Sequence, residues 1–382
     1  MRKSIIGSSF AFALAGLTGC GAGPADEAST SAAITQAAVS CAPINFTKIA
    51  SQVESIKSAD LNGDGLVDVI LGNTNDVALT VLLGQAGGGY APARRVSFGA
   101  ADEAEEFDVG DLNSDGKPDL VIAKGYDFGT VAVLFGNGDG SFTFGEELAV
   151  HPGGFGGPDG IRIADFNGDG KADFASLNVN EPTVSIFLGD GTGKFAAPIV
   201  SAFTGGSGDL LAADVNSDGK LDLIDSQGIA LGGGDGTFKA SLSFSYESVA
   251  VGDFNGDGHV DIAGQTFHDA IVKNNFVRTS TAEILIGKGD GTFAAPKIVL
   301  SATASNSFAD HMIATADFDH DGKLDLITTV GNQGGNFLFG AGDGTFGRQQ
   351  ALGSFPLAVA ADRTTGRAFW FDGTSLTTAS CQ

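Results

Sequence analysis

Residues 60–68 read DLNGDGLVD. The same nine-residue pattern returns as DLNSDGKPD at 111–119, DFNGDGKAD at 165–173, DVNSDGKLD at 214–222, DFNGDGHVD at 253–261 and DFDHDGKLD at 317–325. Successive copies start 51, 54, 49, 39 and 64 residues apart, near the spacing of about 40 to 50 residues for one propeller blade. After each copy stands a glycine-rich motif: LLGQAGGGYAP, LFGNGDGSF, FLGDGTGKFAAP, LGGGDGTF, LIGKGDGTFAAP or LFGAGDGTF. The repeat is therefore composite, with two polar turns per unit.

The spacing of the first motif carries chemistry. Oxygens at positions 1, 3 and 5 converge when the chain bends tightly, and glycine at position 6 permits the bend that brings the carbonyl of position 7 to the same point. The candidate ligands are the position-1 carboxylates Asp60, Asp111, Asp165, Asp214, Asp253 and Asp317, and the position-3 side chains Asn62, Asn113, Asn167, Asn216, Asn255 and Asp319. Position 5 supplies Asp64, Asp115, Asp169, Asp218, Asp257 and Asp321, and position 7 the carbonyls of Leu66, Lys117, Lys171, Lys220, His259 and Lys323. Closing carboxylates follow at position 9: Asp68, Asp119, Asp173, Asp222, Asp261 and Asp325. An EF-hand needs a glutamate at position 12, where this chain has Leu71, Ile122, Ser176, Asp225, Gly264 and Thr328. With oxygen donors only and a flexible loop, Ca²⁺ is the expected ion, about six per chain. The competing reading is six hydrogen-bonded Asx turns without metal.

Short apolar or β-prone runs flank the loops, among them Val53–Ile56, Ile161–Ala164 and Ser248–Val251 before and Val67–Leu71, Leu120–Ile122 and Leu324–Ile327 after. A third run precedes each glycine turn (Thr130–Phe135) and a fourth follows it (Phe293–Leu300). Four short antiparallel strands per unit, with no strongly amphipathic helix, predict an all-β propeller. The phenylalanines after the glycine turns, Phe142, Phe195, Phe238, Phe293 and Phe346, are expected to pack between blades. The remainder after Arg348 reads as a seventh blade whose loop has lost its cage: Asp362 stands at position 1, Thr364 and Gly366 replace the next ligands, and Arg363 or Arg367 is expected to neutralise Asp362. This unit has about three strands, and Ile44–Ala50 supplies the fourth, so that both termini close a seven-bladed ring. That closure brings Cys41 to Cys381, expected to form a disulfide in an oxidising compartment; two free thiols are the alternative.

Residues 1–20 read as an export signal, with Arg2 and Lys3 ahead of the apolar run Ile5–Leu17. The end, Leu17-Thr18-Gly19-Cys20, resembles the lipobox of bacterial lipoproteins, which implies lipidation at Cys20; an ordinary signal peptide is the alternative. Residues 21–40 have the composition of a flexible linker, and 41–382 hold the propeller. The expected location is the bacterial outer membrane, on its periplasmic or cell-surface side or released from it, with the lipid as the only membrane contact. With 46 acids against 21 bases the formal charge is −25, which excludes electrostatic capture of nucleic acid. The loops alone hold 19 of those acids, so the acidity says more about internal cations than about a partner.

The pairing of DxNxDGxxD with a later GxGDGxF resembles the FG-GAP (VCBS-type) repeat, the blade of the integrin α-subunit propeller and of many exported bacterial proteins. The resemblance is strong over 53–347 and weak over 354–380. It implies Ca²⁺ at the six aligned loops and leaves the activity open, because the family includes adhesive receptors, sugar-binding propellers and polysaccharide-active enzymes. GxSxG, HExxH, P-loop and catalytic-cysteine patterns are absent. His151, His259, His268, His311 and His320 are scattered, with His259 and His320 inside loops and expected to face solvent. A monomeric binding or adhesion module for a protein or glycan is the expected function, with a lectin or a lyase-like enzyme as alternatives. The partner is expected on the face away from the expected cation loops, at the variable loops Lys124–Gly129, His151–Asp159, Thr266–Thr281 and Ser301–Asp310, because variable loops on a rigid scaffold are where binding groups usually sit; plain surface loops are the alternative.

Overall fold

The structure, a computed structural model, describes residues 41–381 apart from 49–52, 74–77, 99–105, 125–128, 151–156, 179–180, 204, 206–207, 273–274, 306–311, 331–333 and 355. The signal segment, Cys20 and the linker lie outside the described residues. So do Tyr126, Phe128, His151, Phe155, Asn274 and His311.

The described residues form seven four-stranded antiparallel sheets, each built from strands in chain order except the last. The first strands of the blades are Val53–Ala59, Phe107–Gly110, Pro158–Ala164, Leu211–Ala213, Ser248–Gly252, Ile313–Ala316 and Ala358–Asp362. They line a central channel. In six blades the second strand begins at a position-9 aspartate, as in Asp68–Asn73 and Asp173–Asn178. These second strands, apart from the far half of the one in the fifth blade, are buried along their length and rich in Val, Ile, Leu and Phe, the composition of a strand covered on both faces. All-β seven-bladed architecture is thus what the repeat spacing predicts.

Apolar clusters lie between neighbouring blades rather than within one. Leu61 and Ile70 of the first blade share a cluster with Phe107, Leu120 and Leu134 of the second. The phenylalanines after the glycine turns act as expected: each packs on position 2 of the preceding blade. Phe238 meets Phe166 edge-on at 5.7 Å and Phe346 meets Phe254 at 6.2 Å. Phe142, Phe195 and Phe293 join the clusters of Leu61, Leu112 and Val215. A ring repeats this contact until every blade has a neighbour on both sides.

The closing blade runs Cys41–Lys48, Ser375–Cys381, Arg367–Phe371, Ala358–Asp362, so its outermost strand comes from the N-terminal end. That strand is three residues ahead of the expected Ile44–Ala50 at its start. Its register sets Cys41 directly opposite Cys381. Tyr90 of the first blade ties the seam, its hydroxyl 2.9 Å from Thr378 Oγ1.

The fifth blade departs from expectation. Residues 266–272 and 275–281 are not loop but the far half of a long hairpin, Asp261–Val272 against Asn275–Leu285, in unbroken register from Ile262↔Leu285 to Val272↔Asn275. Thr266, Phe267, Ile271, Phe276, Val277, Thr279 and Thr281 in that insertion are residue types that suit strand pairing. The fourth strand is Lys297–Ser305 rather than Phe293–Leu300: Phe293 instead bridges Gly287 across the turn, and Ser301–Ser305 extends the sheet.

Candidate functional site

The six loops share one hydrogen-bonding scheme. In the first, Asp60 Oδ1 accepts the N–H groups of Gly63 and Asp64 at 2.8 and 3.1 Å, and Oδ2 accepts that of Gly65 at 2.8 Å. Asn62 Oδ1 takes the Asp64 N–H at 3.0 Å, and Asp64 Oδ1 the Leu66 N–H at 2.8 Å. Backbone donors therefore hold the oxygens of positions 1, 3 and 5 within the turn in the first five loops, and those of positions 1 and 5 in the sixth. Asp165 and Asp253 repeat the full pattern in the third and fifth loops. The bend needs left-handed backbone at position 4 as well as at glycine 6: Gly63, Gly168 and Gly256 supply it freely, while Ser114, Ser217 and His320 adopt φ of 60°, 56° and 58°. Position 4 was not read from the sequence; its restriction to Gly, Ser and His was the available signal.

Position 9 has a second role that the spacing did not reveal. All six aspartates are fully buried. One oxygen accepts the N–H of position 2, and the other the N–H of the glycine that opens the second motif. Asp173 does this with Phe166 at 2.9 Å and Gly189 at 2.8 Å, and Asp325 with Phe318 and Gly340, both at 2.8 Å. The aspartate thus clamps the DxNxDG loop to the glycine turn on the same face of the ring. That glycine is required by close approach: a Cβ on Gly136 would lie 2.1 Å from the Pro118 carbonyl oxygen. Burial is the main cause that raises the carboxyl pKa of Asp68, Asp119, Asp173, Asp222 and Asp261, and it takes Asp325 up to about 7. Exposed position 5 moves the other way: the backbone N–H of Lys117 or Lys171 first, and that lysine's charge, lower Asp115 and Asp169, while the Asn255 amide lowers Asp257.

Among the described residues, three acidic ligand atoms meet within 4.8 Å of one another in the sixth loop alone, at Asp317, Asp319 and Asp325. The other five loops carry asparagine at position 3. Asp319 Oδ1 is buried without a hydrogen-bond partner, whereas Oδ2 accepts from Arg348 Nη2 at 3.0 Å. Arg348 in turn stacks over Phe339 at 3.6 Å. Lys117, Lys171 and Lys323 fold their ammonium groups back to the position-5 carboxylates at 3.4, 3.4 and 3.1 Å. His320 is exposed as expected; His259 is half-buried, with Nδ1 3.4 Å from Ser217 Oγ of the neighbouring loop.

The seventh loop overturns one expectation. Asp362 Oδ1 accepts the Thr364 N–H at 2.8 Å, its hydroxyl at 2.6 Å and the Thr365 N–H at 3.2 Å, so the carboxylate is satisfied by its own turn. Neither arginine neutralises it. Arg367 only faces it in strand register, and Arg363 reaches across the channel to the carbonyls of Thr315 and Val251.

On the opposite face, Lys124 is buried and bonded to Glu147 at 2.6 Å, a structural pair. The long hairpin presents Ile271, 79% exposed, and a ladder in which Arg278 lies 3.8 Å over Phe267 and binds both oxygens of Asp269 at 2.7 and 2.8 Å.

Two solved structures share this fold at low identity. One concerns specific recognition of non-reducing terminal N-acetylglucosamine by a lectin of Agrocybe aegerita: TM-score 0.55, 22% identity, covering 79% of this chain and 81% of that one. The other is BBS1N in complex with ARL6DN, soaked with lead, with TM-score 0.54 and 10% identity over 89% of this chain and 96% of that one. No curated protein matches the chain. The FG-GAP-like repeat model matches residues 60–122, 111–176, 165–224 and 276–328, more than half of the sequence, and the chain belongs to the FG-GAP-like repeat family.

Proposed function

We propose that this chain is an exported, calcium-stabilised propeller that acts as a binding or adhesion module for a protein or glycan partner and carries no catalytic activity of its own. The observation that carries the calcium reading is the group formed in the sixth loop by Asp317, Asp319 and Asp325, with the Oδ1 of Asp319 buried and unpartnered; the same acidic spacing recurs in five further loops. Carboxylates so grouped repel one another, and a divalent cation relieves that cost with oxygen ligands alone. At a free concentration about ten times its dissociation constant, each ion stabilises the fold by about 1.4 kcal/mol, and six by about 8 kcal/mol. The ions are therefore staples rather than signals, comparable in total to the stability of an ordinary domain.

The disulfide Cys41–Cys381 belongs to the same reading. Its support is the strand register that sets the two residues opposite each other. With lipid on Cys20, the linker holds a stapled ring at the outer membrane, and the chain works as a monomer without nucleic acid. The hairpin of the fifth blade is the proposed partner surface, because it projects on the face away from the cation loops and presents Ile271 and an arginine between aromatic rings. A glycan is included among the partners because one fold neighbour is a lectin for terminal N-acetylglucosamine.

Native mass spectrometry should count about six Ca²⁺ per chain; fewer than four overturns the six-site reading. A glycan and surface-protein screen, run with Ca²⁺ and with chelator, identifies the partner. Replacing 266–281 by a two-residue turn should then abolish binding while the metal count stays the same, and undiminished binding sinks the hairpin assignment.

A further inference from the structure

The seventh blade differs from the others at position 2 of its loop. In six blades this residue is apolar and buried between blades: Leu61, Leu112, Phe166, Val215, Phe254 and Phe318. Its seventh counterpart is Arg363, which lines the central channel instead. The channel encloses about 440 Å³, within the size range of small-ligand pockets. Arg363 donates from Nε to the Thr315 carbonyl at 3.3 Å and from Nη2 to the Val251 carbonyl, thereby bracing the fifth and sixth blades. Among the described residues Nη1 has no partner, and no carboxylate pairs with this guanidinium.

Arg162, from the third blade, lines the same cavity. Its Nε is buried without a hydrogen-bond partner, and among the described residues its one ion pair is a loose one, Nη1 to Asp108 at 3.9 Å. Desolvation first, and then the charge of Arg162, push the Arg363 pKa down, so the two cations feel each other.

Of the five carboxylates around the cavity, four are engaged away from Arg363. Asp209 pairs with Lys57 at 3.5 Å, Glu106 acts on the same lysine, Asp108 accepts the Ile163 N–H at 2.8 Å, and Asp362 is closed on its own turn. The fifth, Glu54, is exposed on the inner strand of the first blade. Lys57 draws on Asp209, Asp108 and Glu106, Arg162 shares Asp108 with it, and each of the two guanidinium groups keeps an unused donor. A fork of N–H donors near a like charge is matched by an oxyanion, which takes two parallel hydrogen bonds and cancels the repulsion.

We propose that the channel between Arg363 and Arg162 is a binding site for a small oxyanion, either a carboxylate or a tetrahedral sulfate- or phosphate-like group. This site is independent of the cation loops, because neither arginine is a loop ligand. Calorimetric titration of the Ca²⁺-loaded chain with sulfate and, separately, with succinate tests it, with chloride holding ionic strength constant. One saturable equivalent is expected for at least one anion, weakened about tenfold or more by Arg162→Gln and by Arg363→Gln. Binding of succinate alone assigns a carboxylate ligand, and binding of sulfate alone a tetrahedral one. Arg363→Gln also removes the brace between blades, so if that variant does not fold, Arg162→Gln decides alone. No saturable heat with either anion, or heat unchanged by Arg162→Gln, overturns the proposal.

Discussion

Six blades of this ring and the seventh solve the same local problem differently. In the six, the turn between first and second strands is held from within by aspartate and asparagine side chains and from below by a buried aspartate. In the seventh, Ala361 pairs with Ala368 where the sixth blade pairs Ala316 with Asp325, so a fully buried alanine stands where the clamp would be. Only residues 363–366 separate its two strands, a turn short enough to be closed by Asp362 and Thr364. With no aspartate to receive it, the N–H of Arg363 has no clamp, and the side chain is released toward the channel. The clamp and the cage are therefore lost together, because they share the same loop, and the seam is secured instead by strand exchange between the termini.

The largest test of that difference is metal removal. Stripping Ca²⁺ by dialysis against chelator should lower stability by about 8 kcal/mol at saturating reference calcium, read as a large fall in the melting temperature. The metal-free protein should also show an inverted pH response. Burial raises the position-9 carboxyl groups above their unfolded value near 3.8, with Asp325 at about 7. The folded state then binds more protons than the unfolded one between those limits, and its stability falls as pH rises from about 4 to about 7. Calcium favours the ionised carboxylates and should flatten that slope. A metal-free stability that climbs through this window would break the assignment. Asp115, Asp169 and Asp257, shifted downward, act only below the ordinary carboxylate range.

A smaller effect separates clamp from cage. Asp173→Ala removes the acceptor for two buried N–H groups, those of Phe166 and Gly189, and should cost about 2–4 kcal/mol even where the remaining loops are calcium-saturated. Asp169→Ala, on the exposed side of the same loop, should lose the ion and about 1–2 kcal/mol with it. Equal losses in the two variants, measured by denaturant unfolding, would mean that position 9 acts only as a ligand.

How far the sequence discloses this follows from what repeats. The blade count, the strand order and the ligand spacing recur six times, so period and glycine placement suffice to read them. The clamp was hidden because the expected ligand spacing already accounts for an aspartate at position 9 and leaves no residue to suggest the hydrogen bonds from Leu61 and Gly84. The hairpin at 266–281 was misread as a loop because its strands have no repeat partner elsewhere in the chain, and pairing there depends on the register of the blade beneath. Arg363 was assigned to the nearest acid, Asp362; a local turn satisfies that acid first, since backbone donors two residues away cost less chain entropy than a long side chain.

The smallest expected effect is at Asp362 itself. Its carboxylate caps a surface turn and touches no metal ligand, so Asp362→Ala should cost no more than about 1 kcal/mol. The Ca²⁺ count by native mass spectrometry should be identical to that of the parent protein, because six cages remain. A lost ion would show that the seventh loop retains a cation site despite Thr364 and Gly366 at its ligand positions. A loss of several kcal/mol without a lost ion would show instead that the turn orients Arg363, since Asp362 and Arg363 are adjacent and the brace to Val251 and Thr315 depends on where that turn holds the chain.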